Sequence, residues 1–246
     1  LFSEKKKSGG FGETIRTVIY AVLIAVVVRT VAFEPFNIPS GSMIPSLLIG
    51  DYLFVSKYSY GYSRYSFPFG MPPFDGRVLA DEPQRGDVAV FKFPRDNKTD
   101  YIKRVVGLPG DRIQMQAGRL VINGEVVPRE RIEDYVERDP LGNTRRFAQY
   151  IETLPGGTQH RIIEMGDDRM SDDTREFVVP DGHYFMMGDN RDNSDDSRGN
   201  VGFVPFENFV GRAEVLFFST DGTARIWELW KWPGSIRWSR FFDAVG

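Results

Sequence analysis

The 246-residue chain has no cysteine and only two histidines, His160 and His183. Without a thiol there can be no disulfide, thiolate nucleophile, zinc ribbon or iron–sulfur cluster. Two histidines make a His-rich metal site or a Ser-His-Asp triad hard to assemble. Catalysis, if present, falls to Ser, Lys, Asp, Glu or Tyr. Positive charge is not in excess either: 31 Lys+Arg stand against 34 Asp+Glu, a formal net charge of −3. No global positive field exists to hold nucleic acid, and no nucleic-acid partner is expected. Internal repeats and long helical periodicity are missing, and the longest unbroken apolar run, 18–28, has eleven residues. What remains is a chain long enough to bury a sizeable core without staples.

That apolar run is preceded by Lys5-Lys6-Lys7 and by Gly9, Gly10 and Gly12. A helix that spans a bilayer needs about 20 mostly apolar residues, so a span must extend over 15–33 and carry Arg16 and Arg29 near its ends, where their guanidinium groups snorkel. The same run also fits the apolar part of a secretory signal peptide, with Thr30-Val31-Ala32 a weak cleavage pattern, or a buried core helix. Arg29 in the would-be cleavage region and the lysine triplet favour a retained anchor. The positive-inside rule then places residues 1–14 in the cytoplasm and everything after Glu34 outside. A start at Leu1 leaves room for a second span upstream.

Beyond residue 34, short β-branched and aromatic runs are punctuated by Gly, Pro and Asp, which predicts a mostly β fold. Candidate strands are 52–56, 87–93, 102–107, 112–116, 119–122, 161–165, 183–187 and 211–219. Tight turns at Ala117-Gly118 and Asn123-Gly124 flank one of them. The expected organisation is a β-rich domain in two parts, 34–124 and 181–246, interrupted by an inserted subdomain at 125–180 that is charged and irregular, with a solvated face. Residues 57–80 read as an aromatic flap or loop close to the membrane. The aromatic and basic segment 227–242, with Trp227, Trp230, Trp232 and Trp238, suits either a bilayer interface or core packing.

Three segments carry candidate chemistry. In Ile38-Pro39-Ser40-Gly41-Ser42-Met43-Ile44-Pro45, two prolines and a glycine make a bend that can present one hydroxyl with unpaired backbone N–H groups; taken alone, it is also an ordinary Ser/Pro/Gly loop. In the strand around Tyr101-Ile102-Lys103-Arg104, neighbours point to opposite faces, so Lys103 and Arg104 cannot share an environment. A dry Lys103 would be a general base, whereas two exposed cations would guard a sheet edge. The loop 188–199 holds four aspartates, two arginines and two serines. It fails the calcium-loop pattern, with no Gly sixth or Glu twelfth from Asp189, Asp192 or Asp195.

Together, in this order behind a membrane span, these segments resemble the type I signal peptidases (leader peptidases) over 34–51, 85–111 and 188–205. The resemblance implies a membrane-anchored β-rich catalytic domain of signal-peptidase type that removes signal peptides after small residues (Ala-x-Ala) with a Ser/Lys dyad, without cofactor or metal. It makes Ser42 the nucleophile and Lys103 the base. Ser40 joins the Ser42 N–H in the oxyanion hole, Ser194 orients the lysine, and Asp189, Arg191, Asp196, Arg198 and Arg104 brace the site. Phe36, Ile38, Pro39, Met43, Leu47, Tyr101 and Ile102 form the substrate pocket. Implied partners are preprotein signal peptides, the lipid bilayer and the export translocon, at the bacterial plasma (inner) membrane, with a single pass and the catalytic domain on the periplasmic side. Two other readings fit the same residues: a narrow-specificity peptidase maturing pilin or conjugation proteins, and a non-enzymatic, membrane-tethered peptide-binding β domain.

Overall fold

The computed structural model describes residues 11–67, 74–138, 143–169, 171–224, 228 and 230–246. Lys5, Lys6, Lys7 and Trp227 lie outside the described residues. Helix α1 (Phe11–Val31) contains the apolar run and starts four residues before the expected span. At about 1.5 Å per residue it is long enough to cross a bilayer, and none of its apolar stretch packs inside the protein. Val22, Leu23, Ile24 and Val27 are all more than half exposed. A helix of this composition with its faces open to the surroundings fits a transmembrane anchor.

One residue, Ala32, separates α1 from β1 (Phe33–Asn37). This strand escaped the sequence reading because Pro35 sits in its middle. Proline is tolerated there because β1 lies at a sheet edge. It pairs antiparallel with β2 (Asp51–Ser56), Phe33 opposite Ser56 and Asn37 opposite Tyr52. The remaining strands are β3 (Val88–Lys92), β4 (Asp100–Gly107), β5 (Arg112–Gln116), β6 (Arg119–Ile122), β7 (Glu125–Val126), β8 (Arg129–Arg131), β9 (Tyr135–Arg138), β10 (Thr144–Thr153), β11 (Gln159–Glu164), β12 (Phe177–Val178), β13 (His183–Met187), β14 (Val204–Pro205) and β15 (Phe209–Ser219). The fold is mostly β. Its main sheet runs β1-β2-β15-β3-β4-β13-β14, with two four-stranded sheets beside it: β12-β5-β6-β7, and β11-β10-β8 with β9 also on β10.

Register shifts on β15 bend the main sheet, one of them between Phe209 and Gly211. Bulges of this kind raise local twist and let a sheet wrap its own core. Leu53, Val55, Val88, Val90, Val210, Ala213 and Leu216 form one buried cluster. Toward β13 the sheet is covered on both faces: Val105, Tyr184 and Met186 belong to one core, and Val106, Phe185 and Met187 to another.

Residues 125–180 depart from the irregular chain expected there. They include the ten-residue β10, which pairs with β11 from Ala148 to Thr153 and with β9 from Thr144 to Phe147. The outer β9–β10 ribbon is solvated, so its sequence carries no alternating apolar pattern to read. The described parts of 57–80 are tied down: Tyr60 is buried, Arg77 donates to the carbonyls of Gly61 and Phe206, and Tyr62 Oη donates to Val31 O at the end of α1. The C-terminal segment packs against β15 through Phe241, edge-on to Phe218, while Trp230, Trp238 and Phe242 stay exposed.

Gly211 marks how tightly β15 meets β2, since a Cβ added there would lie 2.3 Å from the Ser56 carbonyl oxygen. Gly211→Ala is expected to destabilise the protein by about 1–3 kcal/mol through overpacking, seen as a lower denaturant midpoint at unchanged slope.

Candidate active site

The loop between β1 and β2 carries Ser42. It is closed at its base by Ile38 N–H to Asp51 O (2.8 Å) and Gly50 N–H to Ile38 O (2.9 Å). Met43 and Leu47 are fully buried in the core cluster and pin the loop from beneath. This corrects the expectation that they line the substrate pocket: large apolar side chains at the sheet's inner face gain more from core burial than from a solvated groove. With Met43 held inward, the loop presents Ser42 to the groove. From above, Asn190 N–H donates to Ser42 O (3.1 Å) and Asn190 Nδ2 to Gly41 O (3.0 Å). Gly188 passes so close that a Cβ would lie 2.4 Å from Ser42 O and 2.2 Å from Ser194 Oγ.

On β4, Lys103 Nζ lies 2.7 Å from Ser42 Oγ and 3.0 Å from its neighbour's carbonyl, Ile102 O. The lysine is 3% exposed. Burial lowers its pKa from 10.5 to about 8, against the opposing pull of Asp196, Asp195 and Asp189. An ammonium is costly in a dry site, and the neutral amine is correspondingly accessible near neutral pH.

The adjacent Arg104 turns the other way, as strand alternation requires. Its Nε and Nη2 meet the two carboxylate oxygens of Asp189 at 2.9 and 2.8 Å, and its Nη1 donates to Gly86 O. Burial pushes the Asp189 carboxyl up, but Arg104 outweighs it and holds the group below the ordinary carboxylate value. Asp196 is held low in the same way by Arg198, and also accepts from the Gly188 N–H. Arg191 reaches away from the lysine to form a bidentate pair with Glu152, whose pKa ends at about 2 although burial opposes it. His160 Nε2 sits 3.4 Å from Glu152 and 3.9 Å from Asp189. Burial pushes the His160 pKa down, leaving the ring neutral.

Phe36, Ile38, Pro39, Tyr101 and Ile102 line a groove of about 640 Å³ that ends at Ser42 and Lys103, with exposed Ser40 on its rim. The pairing of β4 with β13 stops at Arg104, and β1 pairs only with β2, so the groove lies between two strand edges left open among the described residues. Ser194 Oγ is buried beside Gly188, close to the Ser42 carbonyl, and interacts with Asp196; among the described residues no hydrogen bond joins it to Lys103 Nζ. No group of three His, Asp or Glu is placed to hold a metal among the described residues.

The sequence reading did not find Asn190, Gly188, Ser46, Glu152 or His160. Ser46 hydrogen bonds Asp189, and Glu152 faces His160 across the β10–β11 hairpin. The Gly156-Gly157 turn was the available signal, because a hairpin's turn fixes which residues face each other.

The family model described as "Signal peptidase, peptidase S26" matches residues 11–218. Signal peptidase I of Rickettsia typhi (strain ATCC VR-144 / Wilmington) is 43% identical over 241 residues, covering 91% of this chain and 89% of that protein. The chain belongs to the signal peptidase I family. Signal peptidase I of Rickettsia conorii (strain ATCC VR-613 / Malish 7) is 41% identical with the same coverage. A crystal structure of a signal peptidase I from Enterococcus faecalis V583 shares 29% identity at a TM-score of 0.32, over 54% of this chain and 97% of that one. As a member of the signal peptidase I family, the protein is a serine endopeptidase that removes signal peptides. The reading of a non-enzymatic peptide-binding domain is thereby set aside.

Two outcomes follow from the geometry. Arg104→Met strands the buried Asp189 charge and is expected to cost about 3–5 kcal/mol, measured by chemical denaturation. Asn190→Ala removes the bond to Gly41 O while its backbone bond to Ser42 O persists. It is expected to lower kcat about five- to tenfold, the worth of roughly one hydrogen bond, with a loss of stability of no more than about 1 kcal/mol.

Proposed function

We propose that this signal peptidase cuts exported preproteins after Ala-x-Ala with a Ser42/Lys103 dyad. The observation that carries the reading is the 2.7 Å contact between Ser42 Oγ and a buried Lys103 Nζ at the end of an apolar groove. Neutral Lys103 takes the Ser42 proton as Oγ attacks the scissile carbonyl. The oxyanion is met by the Ser42 N–H and the Ser40 hydroxyl. The lysine ammonium then protonates the departing amine, leaving the signal peptide's last residue as an ester on Ser42. Neutral again, Lys103 deprotonates the water that hydrolyses the ester. Arg104, Asp189, Arg191, Asp196 and Arg198 fix the loop above the dyad, and rotation of the Ser194 hydroxyl toward the lysine orients the amine.

The substrate joins as an extended strand between β1 and the 100–103 edge of β4, so that alternate side chains enter shallow pockets built by Phe36, Ile38, Pro39, Tyr101 and Ile102. Small residues at the first and third positions fit such pockets. Helix α1 spans the inner membrane with its N-terminus cytoplasmic, and the catalytic domain faces the periplasm beside the translocon that delivers substrate. Residues 34–124 and 181–246 form the catalytic domain, with 125–180 inserted.

Incubation of the lipid-reconstituted protein with an Ala-x-Ala preprotein should release a product whose new N-terminus follows the second Ala, and Ser42→Ala should abolish it; intact preproteins with active enzyme would refute the assignment. Because the base works unprotonated, kcat/KM should fall about tenfold per pH unit below about 8 and level off above it. Asp195 raises the lysine's pKa, so Asp195→Asn should move that limb to lower pH in a pH–rate profile.

A further inference from the structure

Beside the last turns of α1 lies a cavity of about 740 Å³. The helix forms one wall through Val26, Arg29 and Thr30, and the sheet and the β3–β4 turn form the others. It shares Arg29, Glu34, Phe36 and Asp100 with the groove but is lined by neither Ser42 nor Lys103. Its charge is one-sided. Four cations, Arg29, Lys57, Lys92 and Lys98, line it against two acids, Glu34 and Asp100. Glu34 is shared by Arg29 (3.3 Å) and Lys57 (2.9 Å), and Asp100 takes Lys92 (2.8 Å), while Lys98 has no ion pair among the described residues. Two positive charges are left unmatched. Asp96, on the same turn as Lys98, does not line the cavity; its carboxylate accepts the N–H groups of Lys98 and Thr99 and the Thr99 hydroxyl. The carbonyls at the helix end, which would repel an anion, are covered: the Tyr62 hydroxyl donates to Val31 O and the Lys57 N–H to Ala32 O. Val26, Phe67 and Val210 add apolar surface.

We propose that this cavity binds an anionic phospholipid, with its phosphate facing Lys98 and Arg29 and its glycerol and first acyl carbons against Val26 and Phe67. The site goes beyond the peptidase reading and does not depend on the dyad. Its level selects a lipid. Val26 stands five residues before the end of α1, about 7.5 Å along the axis, which is the depth of the boundary between headgroups and acyl chains when the helix end lies at the bilayer surface. A transmembrane α1 thus holds the cavity at the height of the lipid phosphates, and the unmatched cations complement them. A signal segment approaching the groove is apolar and then small and uncharged near its cut, so it has no use for two spare cations.

The test is native mass spectrometry of the full chain in dodecyl maltoside micelles, titrated with dioleoyl phosphatidylglycerol or dioleoyl phosphatidylcholine. The first phosphatidylglycerol should bind at least about fivefold more tightly than phosphatidylcholine, the factor that one cation near a bilayer surface supports. Lys98→Gln should weaken that adduct about fivefold. Arg95→Gln, which removes an exposed cation of the same turn that does not line the cavity, should leave it unchanged. Both positions are exposed, and equal denaturant midpoints will show that both variants fold. Glycerol 3-phosphate, the same phosphate without acyl chains, should not displace the lipid. Equal affinity for the two lipids, or equal weakening by the two substitutions, would overturn the site and leave a general attraction to a charged surface. Displacement by glycerol 3-phosphate would assign the cavity to free phosphate, and one-for-one displacement by a synthetic signal peptide would assign it to the signal segment; either result would overturn the proposal.

Discussion

In the mechanism proposed above Lys103 works unprotonated, which needs a dry site, and the protein builds that site among acids. Asp189, Asp195 and Asp196 all pull the Lys103 ammonium toward its charged state, and burial overcomes them. The balance holds because the two buried acids are neutralised from the other side: Asp189 by the fork of Arg104, and Asp196 by Arg198. Each arginine satisfies a carboxylate that would otherwise claim the lysine. The loop 188–199 thus combines a hydrogen-bonded scaffold with electrostatic insulation, and the rest of the site is arranged around keeping those pairs intact.

The sheet supplies the precision. Lys103 and Arg104 are adjacent on β4, yet one faces the Ser42 hydroxyl and the other Asp189, a division that follows from strand alternation alone. The Ser42 loop is clamped between the core below, through Met43 and Leu47, and Asn190 above. Buried pairs such as Arg191–Glu152 carry the bracing outward into β10, so the second sheet supports the same loop from a distance. Whether such pairs add net stability over apolar residues is a separate matter; their geometry restricts the loop to one arrangement.

Legibility in the sequence followed burial patterns. β3, β5, β6, β13 and β15 were visible because one or both of their faces are apolar, so their residues are β-branched or aromatic and bounded by turns. β1 was hidden by Pro35 and β10 by its charged outer half, since neither shows an apolar repeat. Within the candidate site, Ser42, Lys103, Asp189 and Arg104, which the structure brings together, were singled out through a family pattern of short segments. Composition alone left Ser42 in an ordinary loop and Lys103 on an edge. Glu152 and His160 were out of reach because their environment is set by long-range packing: both sit in a charged stretch that reads as solvated, and both are buried. Met43 and Leu47 were misplaced for a related reason. An apolar residue beside a nucleophile can face the groove or the core, and only the loop's path decides which.

The junction of α1 with β1 has a mechanical meaning. A single residue joins helix to sheet, and it is stapled: Lys57 N–H donates to Ala32 O, and the Tyr62 hydroxyl to Val31 O. Such a joint is a bracket without slack, unlike the flexible leash that tethers many surface domains. Whatever fixes the depth of the helix fixes the height of Ser42 with it. On the function proposed above, the groove cannot reel toward a distant site, and a scissile bond is brought up to the level at which the groove is mounted.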